Sequence, residues 1–183
     1  MKKIITLTAG HSDTDPGACA HGYTEAELML ELRGLVAAQL ELLGYIARTD
    51  GTGSYNAPLA DALRLIDGSA LAIELHMNAA AAAQANGVEV VALPRDKYRA
   101  QRIAAAVAAA IGARLRGDKG YIDQTATHRG RLGYVQAGGM ILEVCFISNL
   151  DELCNYLEAK DTVAHAIAQA IDEVVRIGEQ EPA

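Results

Sequence analysis

Four short apolar runs constrain the fold more than any other feature of the chain. "KIITLTA" (residues 3–9), "SALAIELHMN" (69–78), "GVEVVAL" (87–93) and "GMILEVCFI" (139–147) are aliphatic, often β-branched and too short for helices. They read as buried strands, and "YIART" (45–49) as a further short one. Segments of helical period separate them. One runs from about Thr24 to Leu43 with Gly44 as its stop, and one from Pro58 to about Asp67 with the proline in its first turn. A third covers 95–115, with Ile103, Val107, Ile111 and Leu115 four apart. A short helix is expected at "DELCNYLE" (151–158), and a last one from about 161 to 177 carries Val163, Ile167, Ile171 and Val174 inward. "RLGYVQ" (131–136) fits neither period, and the polar, glycine-bearing stretch 116–130 reads as a mobile loop. Strands alternating with helices imply an α/β fold: a single domain over 1–178, with a mostly parallel central sheet of five to six strands, helices on both faces, and a short flexible tail at 179–183.

Composition narrows the partners. Half of the 183 residues are hydrophobic (51%), which suits one domain with a substantial core. A formal charge of −7 argues against nucleic acid, whose binding normally calls for a clustered basic face, and gives no general attraction to anionic surfaces. No apolar stretch is long enough to span a bilayer. Cys19, Cys145 and Cys154 are odd in number and lack a CxxC pattern, so reduced thiols and a protein made in the cytoplasm are expected. "MKKIITLTAG" superficially resembles the basic front of a signal peptide. Its apolar run stops too early, and it reads as a first strand without an export signal.

In sheets of this kind ligands gather beyond the carboxyl ends of the strands. Three strands carry an out-of-place polar residue there: His11 after the first, His76 closing "AIELH", and Glu143 within "MILEVCF". Burying such groups costs several kcal/mol unless they find partners, and the simplest arrangement is that they meet. The first helix offers a fourth. At about 100° per residue, Glu25 falls inside the apolar stripe of Met29, Leu32, Val36, Leu40 and Leu43, while Glu27 and Glu31 point away. Glu25 either caps its helix or faces the loop bearing His11. Two histidines and a carboxylate suit a catalytic zinc with a fourth position open, and a second carboxylate can then serve as acid and base. His11, Glu25 and His76 form such a ligand set, with Glu143 as the proton carrier. The spacing His-x13-Glu-x50-His is less specific than a compact zinc motif.

The pieces "TAGHSDTDPGA", "GYTEAELML", "LGYIARTD", "ELHMNA", "NGVEVVAL" and "MILEVCFISN" together resemble the zinc-dependent N-acetylmuramoyl-L-alanine amidases, the sheet-based family of cell-wall hydrolases and phage endolysins. The resemblance covers roughly residues 4–175. It implies zinc held by His11, Glu25 and His76, a catalytic Glu143, and cleavage of the amide between N-acetylmuramic acid and the L-alanine of the peptidoglycan stem. The chain departs from the family at three places. Glu74 stands where a small hydroxyl residue is usual, two before His76 and so on the same strand face; it either partners His76 or pairs with an arginine. Ala62 and Asp67 replace the usual Arg and Asn of the preceding helix.

Other candidates are weaker. Asn78 could bond a substrate amide or hold its loop, and Arg129 could bind a stem carboxylate. His21 and His165 read as exposed, and Cys145 as a packed thiol. The compact length and missing export signal point to a phage or prophage endolysin that reaches the wall once the membrane is permeabilised, with a monomer as the default state. Two rivals remain: a zinc amidohydrolase or carboxypeptidase acting on free peptides, and a non-catalytic wall-binding module.

Overall fold

The computed structural model describes residues 2–127 and 130–178. Strand β1 (Ile4–Ala9) leads into a two-stranded hairpin, β2 (Cys19–Ala20) and β3 (Tyr23–Thr24), and then helix α1 (Glu25–Leu42). Next come β4 (Ile46–Thr49), α2 (Leu59–Arg64), β5 (Leu71–Asn78), β6 (Glu89–Ala92) and α3 (Lys97–Ile111). The chain ends through β7 (Tyr121–Asp123), α4 (Gly133–Gln136), β8 (Met140–Phe146) and α5 (Leu150–Ile177). Six strands form one sheet in the order β4-β1-β5-β8-β6-β7. All neighbours are parallel except β6 and β8, which are antiparallel. The reversal follows from the short link between β5 and β6, too short for the crossover a parallel pair requires.

The two faces of the sheet are built differently. Ile5 and Leu7 of β1, Ile73 and Leu75 of β5, Val90 of β6, and Leu142 and Val144 of β8 pack in one large core with α1, α3 and α5. The intervening residues face α2 and α4, where a small cluster of Ala62, Ile66, Ala72, Val91, Tyr134, Val135 and Ile141 covers only the lower part. These helices have six and four residues, and the apolar cluster beside them takes in Ala72 and Ile141 but nothing nearer the carboxyl ends of β5 and β8. Thr8, Glu74, His76 and Glu143 lie on that upper half.

Four sequence expectations change. Helix α3 ends at Ile111 because Gly112 adopts the left-handed cap conformation (φ 67°), so Leu115 lies outside it. The two expected C-terminal helices are one: no Gly or Pro interrupts 150–177, and the charged stretch "EAKD" simply lies on the outer turns. Part of the stretch 116–130 forms edge strand β7, whose partner β6 supplies the ladder. Pro58 is the N-cap of α2 rather than its first helical residue. The tail 179–183 lies outside the described residues. Among those described, no helix is long and apolar enough to cross a membrane.

Candidate metal centre

Helix α1 begins at Glu25 because Thr24 caps it. The Thr24 hydroxyl oxygen accepts the Glu27 amide (3.2 Å) and donates to the Glu27 carboxylate (2.8 Å). That leaves Glu25 free of capping duty, and its buried carboxylate spans two histidines. Oε1 accepts the Met77 amide (3.0 Å) and lies 2.8 Å from His76 Nδ1. Oε2 accepts the Ala18 amide (3.0 Å) and lies 3.0 Å from His11 Nε2. One donor atom each from His11, Glu25 and His76 fall within 4.8 Å of one another. The two imidazoles meet edge to face, with ring centres 5.2 Å apart.

The backbone is shaped around this cluster. His11 sits at φ 69°, a conformation that costs a non-glycine residue of order 1 kcal/mol and that the surroundings must enforce. Gly10 and Gly17 leave the room: a Cβ on Gly10 would come within 2.2 Å of the His76 ring, and one on Gly17 within 2.5 Å of the His11 ring. Enforcement comes from Asn56, whose side-chain amide donates to the carbonyls of Ala9 and His11 (both 3.1 Å). Buried Arg33 of α1 fixes Asn56 in turn, donating to its Oδ1 and to Asp50 Oδ1, each at 2.6 Å, and to the Tyr55 carbonyl. Burial raises the Asp50 pKa, and the Arg33 charge opposes that rise. Sequence reasoning missed this brace. Its one signal was an arginine at the margin of the apolar stripe of α1.

Each histidine keeps its second nitrogen on another carboxylate. His11 Nδ1 lies 2.9 Å from Asp15 Oδ2, and His76 Nε2 lies 3.2 Å from Glu74 Oε2. Burial works against charge on His76, but hydrogen bonds to Glu25 and Glu74 and the nearby Glu143 outweigh it and push its pKa up to about 10. The bond to Glu25 likewise raises His11, against its partial burial. Glu25 is held far below the usual carboxylate range: its burial opposes this, and the bonds from both imidazoles prevail. A carboxylate between two imidazoles whose outer nitrogens are already engaged is the donor set that a divalent ion of zinc type takes, displacing the protons.

Glu143 is buried and stands opposite His76 in the β5–β8 register, and opposite Glu89 across the β6–β8 pair. Asn78 donates to Glu89 Oε1 (3.0 Å) and accepts the Ala79 amide, so its side chain ties β5 to β6. Glu89 also pairs with Arg116, whose guanidinium lies over the Phe146 ring. A cavity of about 250 Å³ opens beside the histidines, lined by His11, Asp15, Glu74 and His76 on one side and by Ala57, Pro58, Leu59 and Ala62 on the other.

A family model described as N-acetylmuramoyl-L-alanine amidase matches residues 5–173. The chain belongs to that family. Among solved structures, an amidase assigned as such from Neisseria meningitidis is 44% identical, covers 95% of this chain and 96% of its own, and superposes with a TM-score of 0.88. The catalytic domain of CwlV, an N-acetylmuramoyl-L-alanine amidase from Bacillus (Paenibacillus) polymyxa var. colistinus, shares the fold at 20% identity, with a TM-score of 0.81 and coverage of 95% and 98%. So does the catalytic domain of CD27L, an endolysin targeting Clostridia difficile, at 17% identity and a TM-score of 0.73, with coverage of 93% and 97%. A search of curated proteins gives no significant match.

Within this amidase the remaining candidates disperse. His21 contacts the Ser148 carbonyl (3.3 Å), and exposed His165 lies beside Gln39. Cys145 is buried, and burial pushes its thiol pKa well up. Ala62 lines the cavity, and the Asp67 carbonyl accepts from Arg48. Arg129 lies outside the described residues.

Proposed function

We propose that this amidase is a zinc enzyme that cleaves the bond between the lactyl group of N-acetylmuramic acid and the L-alanine of the stem peptide, with His11, Glu25 and His76 as the residues that hold the metal. The observation that carries the reading is the meeting of their donor atoms within 4.8 Å at the rim of the sheet. Zinc, when bound there, supplies the positive charge that polarises the scissile carbonyl. Glu143 moves the proton: its carboxylate takes one from the attacking water and returns it to the leaving alanine nitrogen. The rigid sheet beneath Glu143 and His76 sets the distance between proton carrier and metal. The brace of Arg33, Asp50 and Asn56 keeps His11 in its left-handed conformation, so the ligand set is preformed. All of these groups come from one chain, so a monomer suffices.

Purified sacculi followed by turbidity, with and without a chelator, test the reading. Clearing that stops with chelator, returns with zinc and is absent in Glu143→Gln is expected. Hydrolysis of small free peptides with intact sacculi would instead identify a peptidase. Action from inside the host after membrane permeabilisation, as for a phage or prophage endolysin, extends the proposal. It predicts lysis on cytoplasmic expression only when a pore-former is supplied.

A further inference from the structure

Glu74 is the charged residue that the site does not need as a ligand. It lies in the middle of β5, with its side chain 6% exposed, where the alternation would otherwise place a small or apolar residue. Such a carboxylate needs a partner, and among the described residues its salt bridge is to His76 alone, at Nε2. The imidazole is rigid. With Nδ1 2.8 Å from Glu25 inside the cluster, Nε2 must point outward, towards Glu74.

We propose that Glu74 is a positioning residue for the metal centre: its carboxylate accepts the Nε2–H of His76 and fixes the tautomer that offers the Nδ1 lone pair to the cluster. The inference rests on the zinc reading above and adds to it a group that a hydroxyl in the same position could not match, since a hydroxyl can also donate and carries no charge. His11 supplies an internal comparison. Its outer nitrogen meets Asp15, whose side chain is 62% exposed and therefore screened, whereas Glu74 acts from the interior. The two imidazoles are thus oriented in the same way, His11 by an exposed carboxylate at 2.9 Å and His76 by a buried one at 3.2 Å.

Zinc affinity measured by competition with a chromogenic chelator tests this without reference to activity. Glu74→Ala should bind zinc about 10- to 100-fold more weakly than wild type. Glu74→Gln, whose carbonyl still accepts Nε2–H, should recover part of that loss, and Asp15→Asn should change affinity less than Glu74→Ala. Nitrogen-15 NMR of the histidine rings should show His76 with its proton on Nε2 in zinc-loaded wild type and Glu74→Gln. Affinity in Glu74→Ala within twofold of wild type, or equal losses in the Gln and Ala variants, would overturn the proposal. A loss in Glu74→Gln as large as in Glu25→Ala would also overturn it, marking Glu74 as a direct ligand. Glu25→Ala separates the two levels: if it binds zinc as wild type does, the metal centre itself fails and Glu74 falls with it. If Glu25→Ala loses zinc while Glu74→Ala does not, only the role of Glu74 is lost.

Discussion

Leu142 and Glu143 are adjacent in β8 and point to opposite faces of the same sheet. Leu142 joins the large core under α1, α3 and α5, while Glu143 joins the half-covered face with Glu74 and His76. The difference lies in the covering helices. Helices of 18, 15 and 28 residues pack on one face, whereas α2 and α4 on the other have only six and four. A strand buried on both faces reads as continuous apolar sequence. Here the polar residues appear beyond the small apolar cluster of the second face. The chemistry is therefore built on the face with the short helices, while the opposite face keeps a continuous apolar core.

The sharpest way to break this division is to alter the two neighbours separately. Glu143→Gln should lower sacculus clearing by about 10²–10⁴-fold while leaving melting temperature and zinc content near wild type. Leu142→Ala should do the reverse. Its cavity is expected to cost about 2–5 kcal/mol, read as a fall in melting temperature, with the activity of the remaining folded protein retained. Activity in Glu143→Gln, or a Leu142→Ala enzyme that is stable but dead, would dissolve the distinction.

Arg33 is the exception that sharpens it. It belongs to a helix of the apolar side, yet its charge is spent on Asp50 and Asn56 beneath the His11 loop. Arg33→Met should cost both properties. Breaking a buried pair is expected to cost about 3–5 kcal/mol, and releasing Asn56 should loosen zinc binding through His11. Loss of stability with unchanged zinc affinity would show the brace to be structural only.

The sequence was legible where burial imposes a period. Strands β1, β5, β6 and β8 and the inward turn of Glu25 all follow from patterns that only a packed interior enforces. His11, Glu25, His76 and Glu143 stood out because each broke such a pattern, and the structure brings the first three together. The brace was hidden because Arg33 of α1 meets Asp50 and Asn56 of the β4–α2 loop far away along the chain, and no local spacing records such a meeting. The partner of Glu74 was undecided for the same reason: sharing a strand face with His76 allowed a contact, and only the ring orientation chose it. The joining of the last two helices was missed because a charged outer surface resembles a break when apolar spacing is the only guide.

The metal-free protein offers a pH test. The pKa of His76 rises from 6.5 to about 10: burial opposes its charge, and the bonds to Glu25 and Glu74 more than compensate. A raised pKa contributes stability that is fully present below the unfolded value and is lost as pH rises through the folded one. The melting temperature of the metal-free form should therefore fall between pH 6.5 and 10. The gain on adding zinc should grow over the same range, because fewer protons compete for the imidazoles. A flat metal-free profile would mean that the cluster holds no such proton.

The smallest effect comes from the apolar face. Cys145 follows Glu143 by two residues, yet it is buried in the large core, where burial disfavours the thiolate and blocks access. Cys19 and Cys154 are exposed. Iodoacetamide should therefore modify two thiols in the native enzyme and the third only on unfolding, as read by intact mass. Because neither exposed thiol touches the cluster, the doubly modified enzyme should clear sacculi as well as the untreated one. Rapid labelling of Cys145 in the folded protein would show that the β8 packing opens on the side where the comparison requires it to stay shut.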